Sequence, residues 1–236
     1  MKNISNISNI LINLNNKLFG SGKKSLNLNN KFYINCLNQN IEKYNISSII
    51  DIGCGNWEIY ENINMNNINY LGIDNDENII KLNLEKYGND TIKFIKKDIL
   101  KYDDIPKVDL FIIKDVIQEM SNDNIKKIID KIIGLKPKLI IITSDILPYS
   151  INYNLNVKNG LYRPISLENK LFNYKLYNKI SHYDKFLLFK YITIFCVILI
   201  LAIKFKYKLY IFVLTMLIII GFLFPKKVIY ILKNDN

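Results

Sequence analysis

Five short apolar runs, each set off from the next by helical periodicity, constrain this chain more than any other feature. Residues 48–52, 69–73, 92–95, 108–113 and 138–143 read as strands. Residues 32–43, 57–62, 77–87 and 122–133 read as helices. The last of these opens on Ser121-Asn-Asp, good N-cap chemistry, and carries isoleucine at 125, 128, 129, 132 and 133. Mostly apolar strands that alternate with helices form a parallel sheet covered on both faces. Such sheets bind ligands at the carboxyl ends of their strands.

The first run leads into Asp51-Ile-Gly-Cys-Gly-Asn-Trp57. Asp51 falls at the end of the strand, and Gly53 and Gly55 let the backbone pass close to a ligand where a Cβ would collide. Asp74 ends the second run, where an acid can accept both hydroxyls of a ribose. A dinucleotide loop wants a third glycine, G-x-G-x-x-G, with a pyrophosphate at the helix N-terminus. That position is Glu58, whose carboxylate would repel a pyrophosphate, and none of the 16 tyrosines has a lysine four residues on. A nicotinamide-dependent reductase is therefore disfavoured, and a ligand with a ribose but no phosphate fits better.

Asp51-Ile-Gly-Cys-Gly resembles motif I of the class I S-adenosylmethionine-dependent methyltransferases, and Asp74 resembles their ribose-binding acid. Asp98 resembles the acid after the third strand that lies beside the adenine, and Asp109 to Met120 resembles the fourth strand and its loop. The likeness covers about residues 20–190. It is nearest to a branch that reads D-x-G-C-G-x-W, K-D-V-L-Q-H, T-N-D, G-G-Y-R-P-x-D-L and P-F. The matching positions are Asp51 to Trp57, Lys114-Asp-Val-Ile-Gln118, Thr143-Ser-Asp145, Tyr162-Arg-Pro-Ile-Ser-Leu167 and Leu171-Phe172, with Gly20-Ser-Gly22 and Ser25 resembling the segment before the first helix. Glu119 stands where the branch has histidine, Ser144 where it has asparagine and Ser166 where it has an acid. These departures touch substrate chemistry more than cofactor binding.

The resemblance implies an α/β fold, Rossmann-like, with a seven-strand-type sheet and helices on both faces, and S-adenosyl-L-methionine as cofactor. It implies cofactor contacts at Asp51, Gly53, Cys54, Gly55, Trp57, Asp74, Asn75, Asp98, Ile99 and Lys114. Substrate contacts fall at Gln118, Asp145, Tyr162 and Arg163, and catalytic roles at Lys114, Asp115 and Glu119. Asp115 or Glu119 is the candidate to take a proton from a hydroxyl or protonated amine acceptor. An N-P-P-Y acceptor motif is absent, as is paired-cysteine machinery for attack on a nucleobase carbon, and Cys54 reads as inert within motif I.

A net charge of +11 raises the question of a nucleic-acid partner. Much of the excess lies in the last quarter of the chain, beside very apolar sequence, which argues for a membrane surface and against nucleic acid. The abundance of asparagine, isoleucine and lysine, as in the 1–19 segment, reads as coding bias. Cys36, Cys54 and Cys196 are far apart and His182 is the single histidine, so neither a disulfide framework nor a metal site is expected. The N-terminal residues show no signal-peptide core, and a reducing compartment is the default.

The expected organisation is a low-complexity segment 1–19, a methyltransferase domain 20–190 with a last strand at 185–190, two apolar membrane helices within 191–225, and a basic polar tail 226–236. The two apolar runs are 191–203 and 209–224, parted by Lys204-Phe-Lys-Tyr-Lys208. A 16-residue helix reaches about 24 Å against a hydrocarbon core of about 30 Å, and flanking lysines and tyrosines extend it. A spanning hairpin leads, ahead of a re-entrant or interfacial hairpin and of burial in a soluble core. Either membrane arrangement sets the catalytic domain in the cytosol. The sequence thus reads as a membrane-anchored methyltransferase with a membrane-proximal acceptor. The alternative is an inactive methyltransferase fold that serves as a tethered interaction module.

Overall fold

The computed structural model describes residues 27–146, 156–158, 160–172, 174–182 and 226–233. Its elements in chain order are α1 (Asn27–Lys43), β1 (Ser48–Ile52), β2 (Asn69–Asp74), α2 (Glu77–Tyr87), β3 (Ile92–Lys96), β4 (Leu110–Lys114), α3 (Asn122–Gly134), β5 (Leu139–Ile146), β6 (Asn178–His182) and β7 (Lys226–Lys233). The seven strands form one sheet in the order β3-β2-β1-β4-β5-β7-β6. β1 to β5 run parallel, while β7 is antiparallel to both of its neighbours, β5 and β6.

Strand parity decides which residues meet. In β1, Ile50 and Ile52 face one side while Ile49 and Asp51 face the other, because successive side chains alternate across a strand. The first side packs with Phe111, Ile113, Ile140 and Ile142 under Ile125, Ile128, Ile129 and Ile132 of α3. Ser121 caps that helix by accepting the Asn124 N–H at 3.3 Å. The second side packs Ile49, Tyr70, Ile112 and Ile141 against Tyr33 and Leu37 of α1 and the aromatic group Trp57, Tyr60 and Phe94. Residues 57–62 form a 3-10 helix.

Two expectations need correction. Residues 226–233 are not a polar tail: they form β7, which fills the slot between β5 and β6. Its alternate residues reach both cores, Val228, Tyr230 and Leu232 on one face and Ile229 and Ile231 on the other. The apolar stretch therefore does not follow the sheet but interrupts it between β6 and β7. Among the described residues the last strand before that stretch is β6, residues 178–182, which the sequence reading did not expect. The expected strand at 185–190, the apolar runs 191–203 and 209–224, and the 1–19 segment lie outside the described residues. Among the described residues no helix is long and apolar enough to cross a membrane.

Candidate active site

The carboxyl ends of β1, β2, β4 and β5 gather most of the residues singled out above. After β1 the chain turns through Gly53 and Gly55, at φ +71° and +51°. Gly53 and Cys54 both donate their N–H to the Ile73 carbonyl, at 2.7 and 3.1 Å, which pulls the loop down onto β2. A Cβ on Gly53 would stand 2.3 Å from Val116 Cγ2, whereas one on Gly55 would meet nothing within 4 Å. The outer face of the loop is thus open to a ligand at Gly55, and its inner face is packed tight.

Asp74 ends β2 with both oxygens directed by backbone. Its Oδ2 accepts the Gly55 N–H and its Oδ1 the Asp76 N–H, each at 3.0 Å. Asn75 beside it is exposed. Asp98 is exposed after β3 and caps a short 3-10 turn by accepting the Leu100 N–H, while Ile99 is buried behind it. Asp51 is buried, and Tyr70 donates to its Oδ2 at 2.8 Å. Its Oδ1 has no hydrogen-bond partner among the described residues. Burial pushes this carboxyl up to about 6, against the pull of the Tyr60 and Tyr70 hydroxyls and of Lys114.

Trp57 and Cys54 sit below the loop. Trp57 is buried in the aromatic group, 5.0 Å from the Tyr87 ring and 5.7 Å from Tyr60, with Nε1 lacking a partner among the described residues. Burial raises the Cys54 thiol, in keeping with an inert side chain. Sequence reasoning missed Asn83. Its Oδ1 accepts the Trp57 N–H and its Nδ2 donates to the Gly55 carbonyl at 2.7 Å, so α2 holds the loop from behind. In so asparagine-rich a chain its position carries no signal.

A second cluster lies beyond β4 and β5. Asp115 takes φ +59°, which turns its carboxylate back over the strand ends. It meets Lys114 Nζ at 2.9 Å, Lys227 Nζ at 2.7 Å, Thr143 Oγ1 at 3.0 Å and Gln118 Nε2 at 3.3 Å. Burial opposes its charge, but Lys227 and Lys114 outweigh burial and hold the carboxyl well below the usual carboxylate range. Lys227 also meets Asp145 Oδ1 at 3.0 Å, and Tyr162 donates to Asp145 Oδ2 at 2.6 Å. Burial lowers Lys227, yet Asp115 and Asp145 push it up to about 12. Lys227 was not foreseen, because it lies on the strand that read as a tail.

The Y-R-P segment straps this cluster down. Gly160 and Arg163 donate their backbone N–H groups to the carbonyls of Glu119 and Gln118, and Ile165 donates to Asp145. Arg163, the only arginine in the sequence, is buried. Its Nη1 donates to the Gln118 carbonyl at 3.0 Å and its Nη2 to Asn122 Oδ1 at 2.8 Å. Arg163 and Gln118 thus support the site from within. Gln118 is buried with Oε1 lacking a partner among the described residues. Glu119 is half-buried, and its carboxylate makes no hydrogen bond or ion pair with them. Among the described residues no group of His, Cys, Asp or Glu is placed to hold a metal ion.

The family model for a methyltransferase domain matches residues 45–185. The chain belongs to that family, and its sheet order is that of the class I, S-adenosylmethionine-dependent fold. N-methyltransferase NodS from Bradyrhizobium japonicum WM9, solved with S-adenosyl-L-homocysteine, matches at TM-score 0.59 and 10% identity over 90% of each chain. Coclaurine N-methyltransferase, bound to N-methylheliamine and the same product, matches at TM-score 0.51 and 13% identity over 90% of this chain and 75% of that one. The chain spans only 22% of the length of PKMT2 from Rickettsia typhi, at TM-score 0.38 and 20% identity over 44% of this chain. No curated protein matches the sequence.

Proposed function

We propose that this chain binds S-adenosylmethionine through the β1 and β2 loops and methylates a membrane-proximal acceptor, held there by the apolar stretch of residues 191–224. The observation that carries the cofactor reading is Asp74. It is fixed by two backbone N–H groups beside a loop that is open at Gly55, and its remaining lone pairs are available to ribose hydroxyls. The unpartnered Asp51 Oδ1 is an acceptor for a cationic amino group in the same recess. S-adenosylmethionine supplies a methyl group already activated on a sulfonium.

What remains for the protein is alignment, which contributes on the order of 7–11 kcal/mol in well-oriented reactions. Asp115 is poorly suited to take a proton, because two lysines hold it ionised. It orients Lys114 and Gln118 instead. Glu119, whose carboxylate has no partner among the described residues, is the better proton acceptor for an incoming hydroxyl or protonated amine.

The same saturated cluster favours a second reading. With Asp115 and Asp145 both engaged and glutamate in place of the branch's histidine, the fold serves as a membrane-tethered binding module without turnover. Calorimetry of S-adenosylmethionine on the full chain and on Asp74→Ala tests the cofactor reading. Micromolar binding lost in the variant supports it, and absence of binding by folded protein removes it. Transfer of labelled methyl groups into membrane extracts, compared with Glu119→Gln, then separates enzyme from module.

A further inference from the structure

The residues on either side of 183–225 are fixed by the sheet. His182 ends β6, Lys226 begins β7, and the two strands are hydrogen-bond partners with His182 opposite Lys227. A segment whose two ends are neighbours in a ladder must leave and return at one place. That place is the catalytic edge. β7 enters the sheet with Lys226 opposite Ile146 and Lys227 opposite Asp145, at the carboxyl end of β5.

The return connection is very short. The second apolar run ends at Phe224 and β7 starts at Lys226, so Pro225 alone lies between them. One residue spans at most about 3.6 Å. One residue further on, Lys227 is in contact with Asp115 and Asp145. The backbone of Lys227 is therefore within three residues, at most about 11 Å of chain, of the end of a 16-residue apolar run. Leu161, exposed on the strap whose neighbours Gly160 and Tyr162 bond Glu119 and Asp145, adds an apolar side chain on the same edge.

We infer that the catalytic edge of the sheet rests on the bilayer, and that the acceptor is a membrane-resident molecule whose reacting atom lies at headgroup depth. This rests on the reading of 191–224 as a membrane anchor and goes beyond it. An anchor on a long tether would leave the site free to face solvent, whereas one joined to β7 through a single proline fixes which edge faces the lipid.

The test uses the full chain with Cys196→Ser, Cys36 and Cys54 being buried, and a fluorophore on either Leu161→Cys or Asn66→Cys. Asn66 is exposed in the turn before β2, at the opposite edge. The protein is mixed with vesicles of phosphatidylcholine and phosphatidylglycerol that carry a headgroup-linked quencher. Flotation with the vesicles and quenching at Leu161 at least about threefold that at Asn66 is expected, because strand length sets the edges ~17–20 Å apart. Flotation with equal quenching overturns the orientation and leaves the anchor standing. Failure to float overturns the anchor and the orientation together.

Discussion

Lys227 Nζ stands 2.7 Å from Asp115 Oδ1, although 112 residues separate the two in sequence. The contact joins the strand that follows the apolar stretch to the loop after β4. Asp115 is held ionised to low pH, and Lys227 is pushed up to about 12. The pair's contribution is complete above the unfolded carboxylate value of about 3.9 and below the unfolded lysine value of about 10.4. It is lost as pH falls through the depressed value of Asp115 or rises through that of Lys227.

Lys227→Met leaves two carboxylates facing each other without their shared cation. At neutral pH the cost is on the order of 2 kcal/mol, below the ~3–5 of a fully buried pair, since the Lys227 side chain keeps 23% exposure. The pair's contribution fades only as pH falls below the unfolded carboxylate value of about 3.9, so the deficit in thermal stability shrinks below about pH 4. A deficit equal at about pH 7 and about pH 3 would assign Lys227 to packing alone.

Asp51 is retained at a cost. Its carboxyl rises from an unfolded value near 3.9 to about 6, so the folded chain binds more protons than the unfolded chain between those values. Stability therefore rises as pH falls from 6 towards 4, and above pH 6 the buried charge costs about 3 kcal/mol as an upper bound. Asp51→Asn is expected to stabilise the chain above pH 6 in urea unfolding, to flatten the pH profile, and to weaken S-adenosylmethionine binding. A variant of unchanged affinity would make Asp51 a purely structural residue.

The two loop glycines separate folding from binding. Gly53→Ala adds a Cβ 2.3 Å from Val116 Cγ2 at φ +71°, and the expected loss of stability is above 2 kcal/mol. Val116→Ala in the same chain returns part of it. Gly55→Ala meets no atom, so only the left-handed backbone conformation is penalised, by about 1–2 kcal/mol. Its larger effect is on calorimetric affinity, through a methyl group on the open face of the loop.

Arg163→Lys removes the planar fork that bridges the Gln118 carbonyl and Asn122. A lysine cannot reproduce both bonds, and a loss of about 1–3 kcal/mol in denaturant unfolding is expected. Cofactor affinity should change far less, since Arg163 bonds Gln118 and Asn122 after β4 while Asp74 ends β2, two strands away in the sheet. A large loss of affinity at unchanged stability would contradict this supporting role.

Much of this architecture was legible because its strands are buried on both faces. Ser48–Ile52 and Glu77–Tyr87 begin and end where their apolar and helical patterns do. β6 and β7 escaped for opposite reasons. Asn-Lys-Ile-Ser-His is an edge strand with a single apolar residue, so it has almost no pattern to read. Val228 to Leu232 is strongly apolar, but lysines flank it and it follows a longer apolar stretch that dominates any window. Its partners, β5 and β6, are chosen by long-range pairing that local sequence does not encode. Asp74 and the glycines could be placed at the strand ends from local pattern, while the Asp115–Lys227–Asp145 bridge could not.

The position of β7 also sets an order of events in time. β5 and β6 are both synthesised before the apolar stretch, yet the strand between them comes after it. The slot stays empty, with two ladder edges unpaired, until Lys233 has left the ribosome. The apolar stretch of residues 191–224 is synthesised first, while the sheet is still open. Closure is a long-range antiparallel pairing on both sides at once, the kind of step that is slow and exposed to aggregation. Synthesis of the whole apolar stretch thus precedes completion of the sheet.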